Sequence, residues 1–300
     1  MNKNISFLKH PFPVIGGEYG TCFDMSVRRE NGAFTMWFSW RPQASVARIT
    51  SRDGVTWDGP PRIVLPPRPE TGWENDINRP GVLFHDGLYH MWYTGQTRTH
   101  SALGYATSPD GISWQRRSDT PVMTPEAPWE RVAIMCPHVL WDKDAACFKM
   151  WYSAGEQYEP NAIGYATSPD GFHWTKRPEP VLLPDPANPW EQHKVAGAQI
   201  IKLNESDDCD CGGYLMFYIG FENEHHAQIG MARSPDGISW ERHPANPVIP
   251  TGAPGSWDAE ACYKPFAVRD GSRWLLWYNG RRGNFEQIGL AICTTGLPTR

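Results

Sequence analysis

The chain repeats itself, and that constrains its fold more than any other feature. The pattern Ser-x-Asp-Gly-x-x-Trp occurs as Ser51–Trp57, Ser108–Trp114, Ser168–Trp174 and Ser234–Trp240, with 57, 60 and 66 residues between successive aspartates. A second pattern occurs five times: Met36-Trp37-Phe38-Ser39, Met91-Trp92-Tyr93-Thr94, Met150-Trp151-Tyr152-Ser153, Met216-Phe217-Tyr218-Ile219 and Leu276-Trp277-Tyr278-Asn279. A third joins tryptophan to an acid in Trp73-Glu74, Trp129-Glu130, Trp190-Glu191 and Trp257-Asp258. A period of this length means one supersecondary unit copied along the chain, each copy burying its apolar faces against its neighbours.

Each unit reads as four strands. An apolar run around a proline (Asn78-Arg79-Pro80-Gly81-Val82) is followed by a tight turn and the aromatic strand of the second pattern. A third strand such as Gly104-Tyr105-Ala106-Thr107 leads into Ser-Pro-Asp-Gly, where Pro presets φ, Asp binds nearby backbone and Gly takes the positive-φ position. The fourth strand starts at the motif Trp. Five aromatic strands predict an all-β, five-bladed β-propeller of four-stranded blades, formed by residues 1–300 as a single domain. Only four Ser-x-Asp-Gly turns exist, because the fifth unit stops near its third strand. Phe7-Leu8-Lys9-His10-Pro11 resembles Trp240-Glu241-Arg242-His243-Pro244. Residues 5–16 are therefore expected to supply the outer strand of blade 5, the alternative being a leader without fixed structure.

Composition narrows the partners. A formal charge of −5 and 20% charged residues give no basic surface for nucleic acid or anionic lipid, so neither nucleic acid nor membrane is an expected partner. No apolar run approaches the roughly 20 residues a membrane helix needs. Met1 to Pro13 has no apolar signal core, and the 7 cysteines are scattered through apolar segments as reduced thiols. A cytoplasmic location is expected, with the oligomeric state open.

In a propeller, the starts of the first strands and the loops after the second strands meet on one face around the axis. Alignment of the first strands places Asp24, Arg79, Cys136, Gly197 and Lys264 at one equivalent position. Just upstream lie Glu18, Asp76, Asn78, His193, Asp258 and Glu260. The loops add Trp40, Arg41, Gln96 to His100, Glu156 to Glu159, Glu222 to His226, Arg281 and Arg282. Unpaired charges at buried sites are costly, so Asp24, Arg79 and Lys264 either form a salt-bridged plug or hold a ligand.

The units, with Trp-acid, x-Pro-x-Val, Met-Trp-Tyr-Thr-Gly (91–95) and Tyr-Ala-Thr-Ser-Pro-Asp-Gly (105–111 and 165–171), resemble the five-bladed propeller glycosidases of glycoside hydrolase families 43 and 32. The resemblance covers essentially the whole chain. It implies three inner-strand acids: a base or nucleophile, an orienting Asp and a proton donor. Asp24 matches the first. The second falls where this chain has Arg79 and the third where it has Met135, so Asp76, Glu156 and Glu260 become candidates for the missing roles. Glycoside cleavage needs one carboxylic acid for the leaving oxygen and one carboxylate to attack or activate water. Glu260, beside Ala261 and Cys262, is the expected partly desolvated acid, with Glu156 its competitor.

The expectation is thus a glycoside hydrolase-like enzyme acting on a small oligosaccharide or sugar conjugate, needing no cofactor or metal. Catalysis falls to Asp24, Glu260, Glu156 and Asp76, and substrate binding to Trp40, Asn78, Arg79, His193, Lys264, Glu222 and Arg281. The basic residues keep two alternatives open: a non-hydrolytic sugar- or metabolite-binding propeller, and a phosphorylase or other enzyme that holds an anion. Glu205-Ser206-Asp207-Asp208-Cys209-Asp210-Cys211 reads as a solvated insertion rather than a zinc site, since Cys-x-Cys lacks a second ligand pair. Twelve of the 15 Trp belong to the three repeated patterns, which leaves Trp40 as the one positioned to stack on a sugar.

Overall fold

The computed structural model describes residues 6–158, 160–203 and 212–294. Among them the regular structure is strand, with a few 3-10 turns. A short β1 (Leu8–Lys9) precedes β2 (Cys22–Glu30), β3 (Ala33–Trp40), β4 (Ser45–Ser51) and β5 (Arg62–Leu65). Next come β6 (Asp76–His85), β7 (Leu88–Gln96), β8 (Ser101–Ser108) and β9 (Gln115–Arg116). The third group is β10 (Ala133–Asp142), β11 (Cys147–Gly155), β12 (Pro160–Ser168) and β13 (Thr175–Lys176). The last two are β14 (Lys194–Lys202), β15 (Tyr214–Phe221), β16 (Ala227–Ser234), β17 (Glu241–Arg242), then β18 (Ala261–Asp270), β19 (Arg273–Arg282) and β20 (Phe285–Cys293). Within each group consecutive strands pair antiparallel, and β20 takes β1 as its outer neighbour, Leu8 opposite Ile292 and Lys9 opposite Ala291. The Glu205–Cys211 run lies outside the described residues, as does Glu159.

The core lies between groups. One cluster joins Met25 and Met36 to Leu275 and Trp277, another Trp37 to Met91, another Trp92 to Met150, another Trp151 to Met216, and another Phe217 to Leu276. First strands touch in series, β2 to β6, β6 to β10, β10 to β14 and β14 to β18, and β18 touches β2.

The turn motif explains the tryptophans. In Ser108–Trp114, the Ser108 hydroxyl accepts the Gly111 amide (2.9 Å), while Asp110 Oδ1 accepts the amides of Ile112 and Ser113 (2.8 and 2.7 Å). Those backbone donors, Ser113 first, pull the Asp110 carboxyl down to about 2. The Gly carbonyl left facing inward accepts from the aromatic strand of the preceding group: Trp37 Nε1 to Gly111 O, Trp92 to Gly171, Trp151 to Gly237, and Trp277 to Gly54. The fourth group has Phe217 instead, and the fifth group has no such turn to receive an indole. Phe7, beside β1, packs edge-on against Phe217 (ring centroids 6.0 Å apart).

Gly54 tests this lock. It sits at φ +78°, and a Cβ there would lie 2.8 Å from Trp277 Cζ2. Gly54→Ala is expected to cost about 2–3 kcal/mol through overpacking and left-handed strain, read as a lowered urea midpoint at unchanged m value.

Each first strand carries a bulge at the same place, with register shifts at Phe23/Met25, Asn78/Gly81, Met135/His138, Ala196/Gln199 and Tyr263/Phe266. The residue at its centre is left-handed: Asp24 (φ 49°), Arg79 (54°), Cys136 (55°), Gly197 (59°) and Lys264 (49°). A non-glycine residue there costs on the order of 1–2 kcal/mol, and the bulge re-aims its side chain. Side chains from the neighbouring group bind the released amides: Asn279 takes Asp24 N (2.9 Å), Ser39 takes Arg79 N (2.8 Å), Thr94 takes Cys136 N (3.3 Å) and Ser153 takes Gly197 N (2.8 Å). The corresponding residue for Lys264 is Ile219, which has no acceptor.

Candidate functional site

The bulges deliver Asp24, Arg79, Cys136 and Lys264 to one cavity of about 180 Å³. Around them stand Arg41 from the turn after β3, Gln96 at the end of β7, Arg281 from β19 and Glu286 from β20, with an apolar wall that includes Phe23, Phe221 and Tyr263.

Two ion pairs organise the charges. Arg79 Nε lies 3.0 Å from Asp24 Oδ2, and Asn279 Nδ2 donates to Asp24 Oδ1 at 2.6 Å, so both oxygens of the carboxylate are oriented. Arg79 also donates through Nη1 to Asn78 Oδ1 (2.6 Å). Across the cavity, Arg41 Nη2 lies 2.9 Å from Glu286 Oε2, and the Tyr263 hydroxyl donates to Glu286 Oε1. Burial and the Glu286 charge push Tyr263 far up, so it remains a phenol. Burial also raises the Cys136 thiol, although Lys264 and Arg79 oppose it, which makes Cys136 a neutral group in the floor. Beneath it, burial and Lys264 lower His138 to about 3; the neutral ring bonds the Ile200 carbonyl through Nε2 (2.9 Å).

The sequence-derived candidates divide clearly. Asp24, Arg79, Lys264 and Arg281 line the cavity. Asn78 is buried behind it, donating to Gln96 Oε1 (2.8 Å) and accepting from Arg79. Asp76 sits nearby within the fields of Arg79 and Arg41, and burial raises its carboxyl above the ordinary range. Glu260 departs from the expectation of a desolvated acid: it is exposed, accepting the Gly283 amide (2.8 Å). Glu156 also departs from an acid's environment, because Lys194 (2.9 Å) and Arg131 (2.7 Å) hold it below the ordinary range, Lys194 contributing most. Neither Glu156 nor Glu260 lines the cavity.

His193 and Glu18 are exposed, and Glu222 pairs loosely with His226 (3.8 Å). Asp258 is structural, bound by Lys9, Tyr278 and Ser256. Trp40 does not face the cavity either: its Nε1 donates to Tyr19 O (2.8 Å) and its ring packs against Tyr19. The aromatic surfaces at the cavity are Phe23, Tyr158, Phe221 and Tyr263. Among the described residues no group of three or more His, Cys, Asp or Glu is placed to hold a metal ion.

Sequence reasoning missed Glu286 and Tyr263. The available signal was pairing: Glu286 stands directly opposite Arg281 in the β19–β20 hairpin, and Arg281 was already a candidate.

Comparison with known proteins gives a consistent picture. The family description "Glycosyl hydrolases family 32 N-terminal domain" matches residues 27–191. A 1,2-beta-oligomannan phosphorylase from Thermoanaerobacter sp. (strain X514) is 26% identical over 251 residues, 79% of this chain and 76% of that protein. Among solved structures, a glycosyl hydrolase from Bacteroides ovatus superposes with a TM-score of 0.71 at 18% identity, covering 96% of this chain and 91% of that one. A thermostable family-43 glycoside hydrolase gives 0.71 at 16% identity, covering 90% and 88%. At such identities the structural likeness speaks for the all-β fold alone.

Proposed function

The chain belongs to the glycosyl hydrolases family 32 N-terminal domain family and is a glycoside hydrolase-like enzyme; on that premise we propose that it cleaves a glycosidic bond of a small oligosaccharide or sugar conjugate in the cavity that holds Asp24 and Glu286. The observation that carries this reading is the placement of two carboxylates in one cavity on different groups of strands, each oriented by its own cation. In this reading the five strand groups are blades of a closed five-bladed propeller. β1 completes the last blade and the cavity lies on the axis. The cyclic contacts of the first strands and the core clusters between neighbouring groups support it.

Asp24, fixed by Arg79 and Asn279, acts at the anomeric carbon, either as nucleophile or by activating water. In the free protein Arg41 and the Tyr263 hydroxyl hold Glu286 as a carboxylate; to give a proton to the leaving oxygen it must part from Arg41 and take up that proton as substrate enters. Asp76, behind Arg79, tunes the field with a carboxyl that burial biases toward neutrality. The relative named as a phosphorylase favours a second reading of the same cavity, in which phosphate rather than water receives the glycosyl group.

Glu286→Gln is the test. On a panel of aryl glycosides, kcat/KM is expected to fall by about 10²–10⁴-fold for poor leaving groups and much less for acidic phenols, which need no proton. An equal loss across the panel assigns Glu286 a role other than proton donor. An unchanged rate removes it from the chemistry.

A further inference from the structure

The two ion pairs leave part of the cavity's charge uncompensated. Asp24 is matched by Arg79 and Glu286 by Arg41. Lys264 and Arg281 also line the cavity, and among the described residues neither has a carboxylate within ion-pair distance. Lys264 is only 4% exposed, and its ammonium makes no hydrogen bond among the described residues. Arg281 donates through Nη2 to the His225 carbonyl (2.7 Å), but its Nε, like Gln96 Nε2 in the same wall, is buried without a partner among the described residues. The orientation of the Gln96 amide is set by its other end, because Oε1 accepts from Asn78 Nδ2 (2.8 Å) and faces Arg79 Nη1 (3.5 Å). Burying an ammonium without a counter-charge costs several kcal/mol, and each unpaired donor adds on the order of 1–3 kcal/mol. A neutral sugar hydroxyl offers too little to compensate a surplus of cations, whereas an oxyanion supplies charge and several acceptor lone pairs at once.

We propose that Lys264, Arg281 and Gln96 form an oxyanion subsite of this cavity, which binds a phosphate or carboxylate group beside the scissile sugar. The proposal rests on the glycoside-processing reading of the same cavity and specifies its substrate class. The oxyanion has two possible sources. It is carried by the sugar as a uronate carboxylate, or it is free inorganic phosphate. With free phosphate the C1–O bond to the leaving group breaks and a C1–O bond to a phosphate oxygen forms. The leaving oxygen takes the proton, so a glycosyl phosphate and an alcohol result. With a sugar-borne carboxylate the subsite only positions, and water supplies the new oxygen.

Calorimetric titration of the full chain with sodium phosphate and with sodium glucuronate, at matched ionic strength against sodium chloride, tests the subsite and separates the sources. One of the two is expected to bind with one-to-one stoichiometry, and Lys264→Met to weaken it by at least about tenfold. Arg281→Gln, closer to the mouth, is expected to weaken it several-fold, and decides alone if Lys264→Met does not fold. Phosphate binding identifies a free co-substrate; glucuronate binding alone identifies a charged sugar. The proposal is overturned if neither anion binds the wild type beyond the chloride control, or if the folded variants bind as tightly as wild type. The readout needs no turnover, so the two readings fail separately. Cleavage of neutral glycosides without anion binding removes the subsite, whereas anion binding without cleavage of any sugar removes the glycosidase reading.

Discussion

Asp24→Asn is expected to lower kcat/KM on glycosides by about a thousandfold and to destabilise the protein by about 3 kcal/mol, and the two losses have different causes. The amide keeps the shape of the side chain, but it neither attacks nor activates water. Stability falls because Arg79, buried against Asn78 and Gln96, loses the one carboxylate at ion-pair distance from it among the described residues. A double variant separates them. In Asp24→Asn with Arg79→Met the unpaired cation is gone, so most of the stability returns while activity stays lost. Urea unfolding of the two single variants and the double variant, alongside single-turnover rates, reads both effects. Return of activity in the double variant would show that Asp24 serves only to neutralise Arg79.

The second large effect concerns the end of the chain. Asp258 is buried, and Lys9 reaches it from β1 at 2.8 Å, with the Tyr278 hydroxyl (3.0 Å) on the same oxygen and the Ser256 hydroxyl (2.8 Å) on the other. The second, third and fourth groups build the same arrangement from their own fourth strands: Glu74 with Tyr93 and Arg116, Glu130 with Tyr152 and Lys176, Glu191 with Tyr218 and Arg242. Lys9→Met leaves Asp258 without its cation and is expected to cost about 3 kcal/mol at neutral pH. The pH dependence follows from the sign of the shift. Burial raises the Asp258 carboxyl, but Lys9, Ser256 and Tyr278 together hold it below its ordinary value. Its contribution is therefore complete above the unfolded-state value near 4 and is lost as pH falls through the depressed folded value. Wild type and Lys9→Met should accordingly converge in stability on acidification. A gap that persists unchanged down to pH 2 would place the effect of Lys9 outside this ion pair.

Much of this architecture was legible in the linear sequence. Ser-x-Asp-Gly-x-x-Trp is a self-contained turn, its hydrogen bonds closing within five residues, so its four copies could be read without coordinates. The likeness of Phe7–Pro11 to Trp240–Pro244 placed the N-terminal segment beside the last group, where β1 pairs with β20. Phe217 in place of a tryptophan marks the missing turn in the same way. The equivalence of Asp24, Arg79, Cys136, Gly197 and Lys264 was visible from the proline register, and the left-handed bulge common to all of them explains why.

Charge pairing was not legible. Asp24 finds Asn279 across 255 residues of chain, and Lys9 finds Asp258 across 249, because contact between the two ends of the chain is a property of the whole tertiary arrangement rather than of any segment. Glu156 and Glu260 had the right residue type in the right loops, yet one faces Lys194 and Arg131 and the other solvent. Glu286 was passed over because side chains alternate across a strand, and only packing decides that it faces the cavity. Local turn chemistry and strand periodicity, which act over a few residues, thus determined the repeating units and the position of the first acid. The tertiary structure alone decided which charges neutralise one another and which, Lys264 and Arg281, line the cavity with no carboxylate at ion-pair distance among the described residues.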